Sequence, residues 1–204
     1  MREHIKAWKE ESKHWKGGNY SLELPGSCCK GRLLDAGCGS GKYALPLRMR
    51  GFEVVALDVS RHALKTAEER CARLNLNIDP VAANVYEIPF KNGCFDVIWC
   101  YGVLQHLLLK ERELAIHEFM RLLKHDGLLF IEVMGEKDMR FGGSEIEHNT
   151  FSRKNGIVYH YFNTDELKEL LHGFSCSITE SRKEKVFEGE RYVRHTISAV
   201  AKKP

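Results

Sequence analysis

The stretch Leu33-Leu34-Asp35-Ala36-Gly37-Cys38-Gly39-Ser40-Gly41-Lys42-Tyr43 is the one from which the fold is read. Its first four residues form a short strand covered on both faces, because apolar side chains run without the polar alternation of a half-exposed strand. Three glycines at alternate positions follow, and a helix is expected over residues 42–50, stopped by Gly51. Strand, glycine loop and helix in that order make a general nucleotide-holding unit. The glycines let backbone approach a ligand, and the helix start offers unpaired N–H groups.

The same rhythm continues outward. Residues 53–58 are a second buried strand, and Ser60 caps a helix running through Ala63, Ala67 and Ala72, with Glu68 and Glu69 facing solvent. A short strand is expected over 81–85 and a central one over 95–100. A helix over 111–124 turns Leu114, Phe119, Leu122 and Leu123 inward, and Asp126-Gly127 leads into a strand over 128–133. Strands without charges in their middles, separated by amphipathic helices, imply an α/β fold, a doubly wound parallel sheet with helices on both faces. After residue 135 the pattern changes to a mixed, glycine-bearing segment, then a helix over 164–172 with a capped start at Thr164. Two runs, 174–187 and 191–202, joined through Glu188-Gly189-Glu190, read as an antiparallel hairpin closing the sheet edge.

The chain has 204 residues and a net charge of +3, which suits one domain with an ordinary core. Its parts are an N-terminal helical lid over 1–30, a core over 33–134, a substrate-side insertion over 135–163, and the last helix and hairpin over 164–204. Within the lid, a helix over 4–16 sets His4, Ile5, Trp8, Ser12 and Trp15 near one face, which needs something to cover. Seven cysteines, an odd number, without a C-x-x-C pair, argue against a disulfide framework or a zinc site, so no metal is expected. The adjacent Cys28 and Cys29 read as two thiols ending a loop. No apolar run approaches the ~18 residues that span a bilayer, and the start has no apolar signal core. A cytoplasmic protein with reduced thiols and no membrane contact is expected.

Asp58 stands 21 residues after Gly37, at the tip of the second strand, where a carboxylate can accept hydrogen bonds from both hydroxyls of a ribose. The glycines run G-x-G-x-G, with Lys42 at the position where a dinucleotide fingerprint has its third glycine. Asp35, just before the loop, can hold an ammonium group but would repel a pyrophosphate. A ligand with adenine, ribose and an amino-acid tail meets each condition, and S-adenosylmethionine is that ligand.

Residues 33–43 resemble motif I of the class I S-adenosylmethionine-dependent methyltransferases, of the small single-domain, type 11-like kind. Residues 54–60 are similar to the ribose motif, 82–90 to the adenine-side segment, 95–100 to the fourth strand and 121–127 to the turn before the fifth. The resemblance implies a seven-stranded, mostly parallel sheet whose last two strands are antiparallel. It also implies a cofactor site. Gly37, Cys38, Gly39, Gly41 and Tyr43 would follow the methionine moiety, with Asp35 near its amine. Asp58 would hold the ribose, and Val59 would lie on the adenine. Asn84 and Val85 would bond the ring, Asn84 standing where many members carry Asp, and Cys100 would meet the methionine side through its backbone. S-adenosylhomocysteine would be the product.

Such an enzyme aligns a nucleophile with a sulfonium methyl group and removes a proton where needed. His106, after the fourth strand, is the first candidate base, a role weighed against simply holding its loop. The insertion adds His148, His160 and Tyr161, the last two in the dense run Tyr159-His160-Tyr161-Phe162 that also reads as lid packing. Size and the absence of an added nucleic-acid module favour a small-molecule acceptor with an O, N or S nucleophile. Residues 39–43 and 159–167 also resemble the tRNA wobble-uridine carboxyl methyltransferases, and residues 180–204 carry seven Lys or Arg against four Glu. RNA is therefore the alternative partner. A non-catalytic partner that binds the cofactor without turnover is the third reading. Nothing in the sequence speaks to oligomeric state.

Overall fold

β1 (Arg32–Ala36) lies between β2 (Glu53–Asp58) and β4 (Phe95–Tyr101), parallel to both. The computed structural model describes residues 3–14 and 30–204. Trp15, Cys28 and Cys29, each read from the sequence, lie outside the described residues. β3 (Asp79–Ala82) flanks β2, and β5 (Leu123–Met134) flanks β4. β9 (Ser175–Phe187) and β10 (Glu190–Lys202) form the hairpin, with β10 antiparallel against β5. Among the described residues these make a seven-stranded sheet of order β3-β2-β1-β4-β5-β10-β9. The third strand ends at Ala82, earlier than the expected 81–85. It begins with Asp79-Pro80, which an edge strand tolerates because one side of its backbone needs no partner.

Side chains alternate across the sheet, as a pleat requires. Leu34, Val55, Ile98 and Ile131 meet Phe119 and Leu122 of α4 (Leu109–Leu122) and Leu167 of α5 (Thr164–Leu170). Leu33, Val54, Val97 and Phe130 meet Leu47 of α2 (Ala44–Met49) and Leu64 and Ala67 of α3 (Arg61–Ala72). Each fully buried Leu or Phe contributes on the order of 2 kcal/mol, so both faces are needed for a stable sheet. The inner face of α4 is Ala115, Ile116, Phe119 and Leu122, and Leu114 is 43% exposed, contrary to the expectation. One residue advances a helix by about 100°, which carries Leu114 off the stripe that Ala115 and Ile116 occupy.

Local caps fix the helix starts that frame the site. Ser60 Oγ accepts from the Ala63 N–H at 3.2 Å. The Glu111 carboxylate reaches back to the Leu108 N–H at 2.9 Å. α5 is capped by Asn163, whose side chain accepts from the Glu166 N–H, one residue earlier than the expected Thr164. The segment 135–163, read as mixed and glycine-bearing, holds an antiparallel sheet of β6 (Ser144–Glu147), β7 (Thr150–Ser152) and β8 (Val158–His160). Strands of three or four residues are too short to show a period of two, so no local pattern marks them.

Candidate active site

The chain reverses its winding between β1 and β4, and open α/β sheets bind ligands at that switch point, beyond the carboxyl ends of the strands. The glycine loop is clasped there by backbone. The N–H groups of Gly37 and Cys38 both donate to Leu57 O at 2.7 and 2.9 Å. Arg70 on α3 donates to Ser40 O at 2.7 Å. Gly37 takes φ +75°, and a Cβ on it would stand 2.4 Å from Cγ2 of Val103, so no other residue fits. At the tip of β2, the Asp58 carboxylate accepts from Gly39 N at 2.9 Å and Ser60 N at 2.8 Å. Each oxygen keeps a further lone pair for an incoming hydroxyl.

Asp35 is buried beneath the loop, and its Oδ2 has no hydrogen-bond partner among the described residues. Burial, followed by the neighbouring Asp58 charge, pushes its carboxyl up to about 8, against one favourable bond from the Ala44 N–H. A buried, orphaned carboxyl oxygen beside a second carboxylate is poised for a cation. The amine of an amino-acid tail meets that requirement.

The cavity above is lined by Gly37, Asp58, Val59, Asn84 and Val85, five of the residues expected to hold the cofactor. The other expected residues, Asp35, Cys38, Gly39, Gly41, Tyr43 and Cys100, do not line it. Cys38 and Cys100 are buried small side chains, both thiols pushed up first by desolvation, and Gly41 packs on Ala67. Tyr43 turns to the α2–α3 side of the sheet, its ring centroid 5.3 Å from Tyr101 and 5.5 Å from Trp99. The far wall is made by Gly102, Val103, His106 and Leu107 after β4.

The roof is α1 (Glu3–Glu11) and the turn that follows it. His4, Ile5, Trp8 and Ser12, grouped by the sequence on one helical face, all line the cavity. Polar contacts hold both ends of this roof. His4 Nε2 lies 3.1 Å from Glu111 Oε2, and Ser12 Oγ lies 2.7 Å from Ser60 Oγ. The enclosed volume is about 110 Å³. That is below the range of about 300–1,000 Å³ usual for ligand pockets.

Among the candidate bases, His106 alone lines the cavity. Its ring lies between Trp8, 4.3 Å away edge-on, and Tyr159, 4.7 Å away. Nδ1 lies 2.8 Å from Val158 O, so it carries the proton and donates. Desolvation, outweighing that bond, drops the ring's pKa to about 4. His148 is exposed in the β6–β7 turn. His160 is buried, 2.8 Å from both Thr150 Oγ1 and Glu166 Oε1. Tyr161 is buried against Phe141 and Phe151, donating to Arg140 O and accepting from Arg153 at 2.9 Å. None of the three lines the cavity, and His160 and Tyr161 hold the insertion together. The sequence passed over Tyr86, Val103 and Leu107 as lining residues, and no pattern in it marked them.

The sequence model of a methyltransferase-domain family matches residues 34–131. The chain is 30% identical over 103 residues to a ubiquinone biosynthesis O-methyltransferase of Rickettsia prowazekii, covering 50% of this chain and 40% of that protein. It is 24% identical over 164 residues to the tRNA N(3)-cytidine methyltransferase METTL2 of Gallus gallus, covering 73% and 44%. A solved SAM-dependent methyltransferase of Methanosarcina mazei has the same fold, with a TM-score of 0.72 and 24% identity over 89% of this chain and 99% of that one. The chain spans 40% to 51% of the length of the first curated relatives it matches. The sheet order, the glycine loop and the family match across residues 34–131 together support the class I S-adenosylmethionine-dependent methyltransferase family.

Proposed function

We propose that this chain moves the methyl group of S-adenosylmethionine to an O, N or S nucleophile of a small molecule. The observation that carries this reading is the continuity of one cavity from the Asp58 carboxylate to the apolar wall of Trp8, Val103 and His106. Bound S-adenosylmethionine supplies the electrophilic methyl group. The chain's residues do the rest. Asp58 would accept from the ribose, Asn84 and Val85 would border the adenine, and the unpartnered Oδ2 of Asp35, beneath the glycine loop, would receive the ammonium group. Trp8, Leu107 and His106 exclude water and hold the acceptor in line, the main demand of such a displacement.

His106 serves here as a neutral wall. A ring with a pKa near 4 is a weak base at neutral pH, so acceleration comes from alignment. Work in the cytoplasm is part of the same proposal: Cys38, Cys71, Cys94, Cys100 and Cys176 are all free thiols. No helix among the described residues is long and apolar enough to cross a membrane.

RNA as the acceptor is a second reading, supported by the β9–β10 hairpin. Beyond the end of β5 it carries Lys183 and Lys185 on one face, in register with Arg194 and Tyr192. One assay separates the two. Cell extract is incubated with radiolabelled cofactor and the protein, with and without ribonuclease. Label in small molecules, unchanged by ribonuclease, supports the first reading; label lost with ribonuclease overturns it.

A further inference from the structure

We propose that Arg70 is a positioning residue for the amino-acid tail of the cofactor, acting through the Ser40–Gly41 peptide; this rests on the assignment of that tail to the glycine loop. The two halves of the loop are held by different elements. Over residues 37–39 the end of β2 does so, with Gly37 and Cys38 donating to Leu57 O and Gly39 to the Asp58 carboxylate. Over residues 40–41 the contacts from outside come from α3. Ser40 O accepts from Arg70 Nη1 at 2.7 Å. Gly41 lies so near Ala67 that a Cβ on it would stand 3.0 Å from the Ala67 Cβ.

Ala67 and Arg70, three residues apart, share one face of α3. Ala67 sets how near the loop comes, and Arg70 sets which way its peptide faces. Gly41 takes φ +81°, and glycine adopts either sign of φ about equally readily, so this peptide has no fixed orientation of its own. Its N–H donates to Cys38 O at 3.0 Å, within the loop, and Arg70 holds the opposite end. A hydrogen bond from a guanidinium is charge-assisted, roughly twice as strong as one between neutral groups. Beneath the loop is Asp35, bonded by the Ala44 N–H, with an Oδ2 that has no hydrogen-bond partner among the described residues. A turned Ser40–Gly41 peptide changes the backbone that faces the tail. Ribose and adenine, assigned to Asp58, Asn84 and Val85, lie outside its reach. Arg70 therefore acts on one part of the ligand.

Calorimetric titration of the full chain tests this with two ligands. They are S-adenosylhomocysteine and 5′-methylthioadenosine, which keeps the adenosine and the sulfur but has no amino-acid tail. Arg70→Met removes the donor and keeps a good helix former. It should weaken S-adenosylhomocysteine about tenfold and 5′-methylthioadenosine less than about twofold. Loss of fold would weaken both ligands alike, so the ratio of the two affinities is the readout. Arg70→Lys keeps a cationic donor and should recover at least about half of the loss on a logarithmic scale. Equal weakening of the two ligands overturns the proposal. So does an unchanged affinity for S-adenosylhomocysteine in Arg70→Met, and so does a Lys variant as weak as the Met one. If S-adenosylhomocysteine does not bind the wild-type chain, the assignment of the tail to the loop falls, and the proposal with it.

Discussion

The side-chain amide of Gln105 donates to Nε2 of His106 across 3.3 Å, and this contact settles what His106 is. Together with Met134 N–H on Gln105 Oε1 and Val158 O on His106 Nδ1, it forms one directed chain from β5 to β8. The chain ties the small sheet to the large one through a neutral imidazole. It also sets the electrostatics of the cavity's far wall.

The first prediction concerns the protonation of His106. Its folded pKa, about 4, lies below the ordinary 6.5, so the folded state binds fewer protons than the unfolded chain between those values. Stability is therefore full above pH 6.5 and is lost as pH falls through that window, by on the order of 3 kcal/mol. Gln105→Glu replaces a donor with a carboxylate, which favours the imidazolium, and should raise the His106 pKa to 6.5 or above. Ring-proton NMR titration of the two proteins measures both. An unchanged value in Gln105→Glu would show that the amide does not set the tautomer.

The second concerns Asp58. Its carboxylate is placed by two backbone N–H groups, so its replacement should leave the sheet folded. Asp58→Ala should weaken S-adenosylhomocysteine binding by roughly 1.5–3 kcal/mol, the scale of hydrogen bonds to a charged group. Equal affinity for wild type and variant would mean that the ribose is held elsewhere.

The third follows from the raised carboxyl of Asp35. With a pKa of about 8 against 3.8, the ligand-free folded state holds a proton that the unfolded chain releases, and stability falls as pH rises through that interval. An ammonium group beside the carboxyl restores its charge, so cofactor binding should expel a proton and tighten as pH rises toward 8. Calorimetry at neutral pH in buffers of different ionisation enthalpy counts that proton. Asp35→Asn should bind without releasing it; the same release in the variant would place the proton on another group.

Much of the fold was legible because its signals are local. Leu33-Leu34 marks a strand buried on both faces, the glycines mark a turn, and Ser60 marks a helix start, each within a few residues. Asp58 was legible for the same reason, since a strand tip next to a glycine loop has few geometries. The acceptor side was less so. The tautomer of His106 depends on Val158, 52 positions along the chain, and on Met134, and no local pattern announces such a meeting. His160 and Tyr161 carry the right chemistry for a site, yet tertiary packing spends them on Thr150, Glu166 and Arg140. Trp8 was visible as a tryptophan in search of a surface; which surface emerged only from the contacts of α1 with Glu111 and of the turn after it with Ser60.

The central claim is that the glycine loop, Asp35 and Asp58 form a site for an adenosyl amino acid. Calorimetric titration of the full chain with S-adenosylhomocysteine and, separately, with NAD tests it most directly. The account predicts micromolar binding of S-adenosylhomocysteine, about −8 kcal/mol, and no binding of NAD. Binding of NAD without S-adenosylhomocysteine would contradict it.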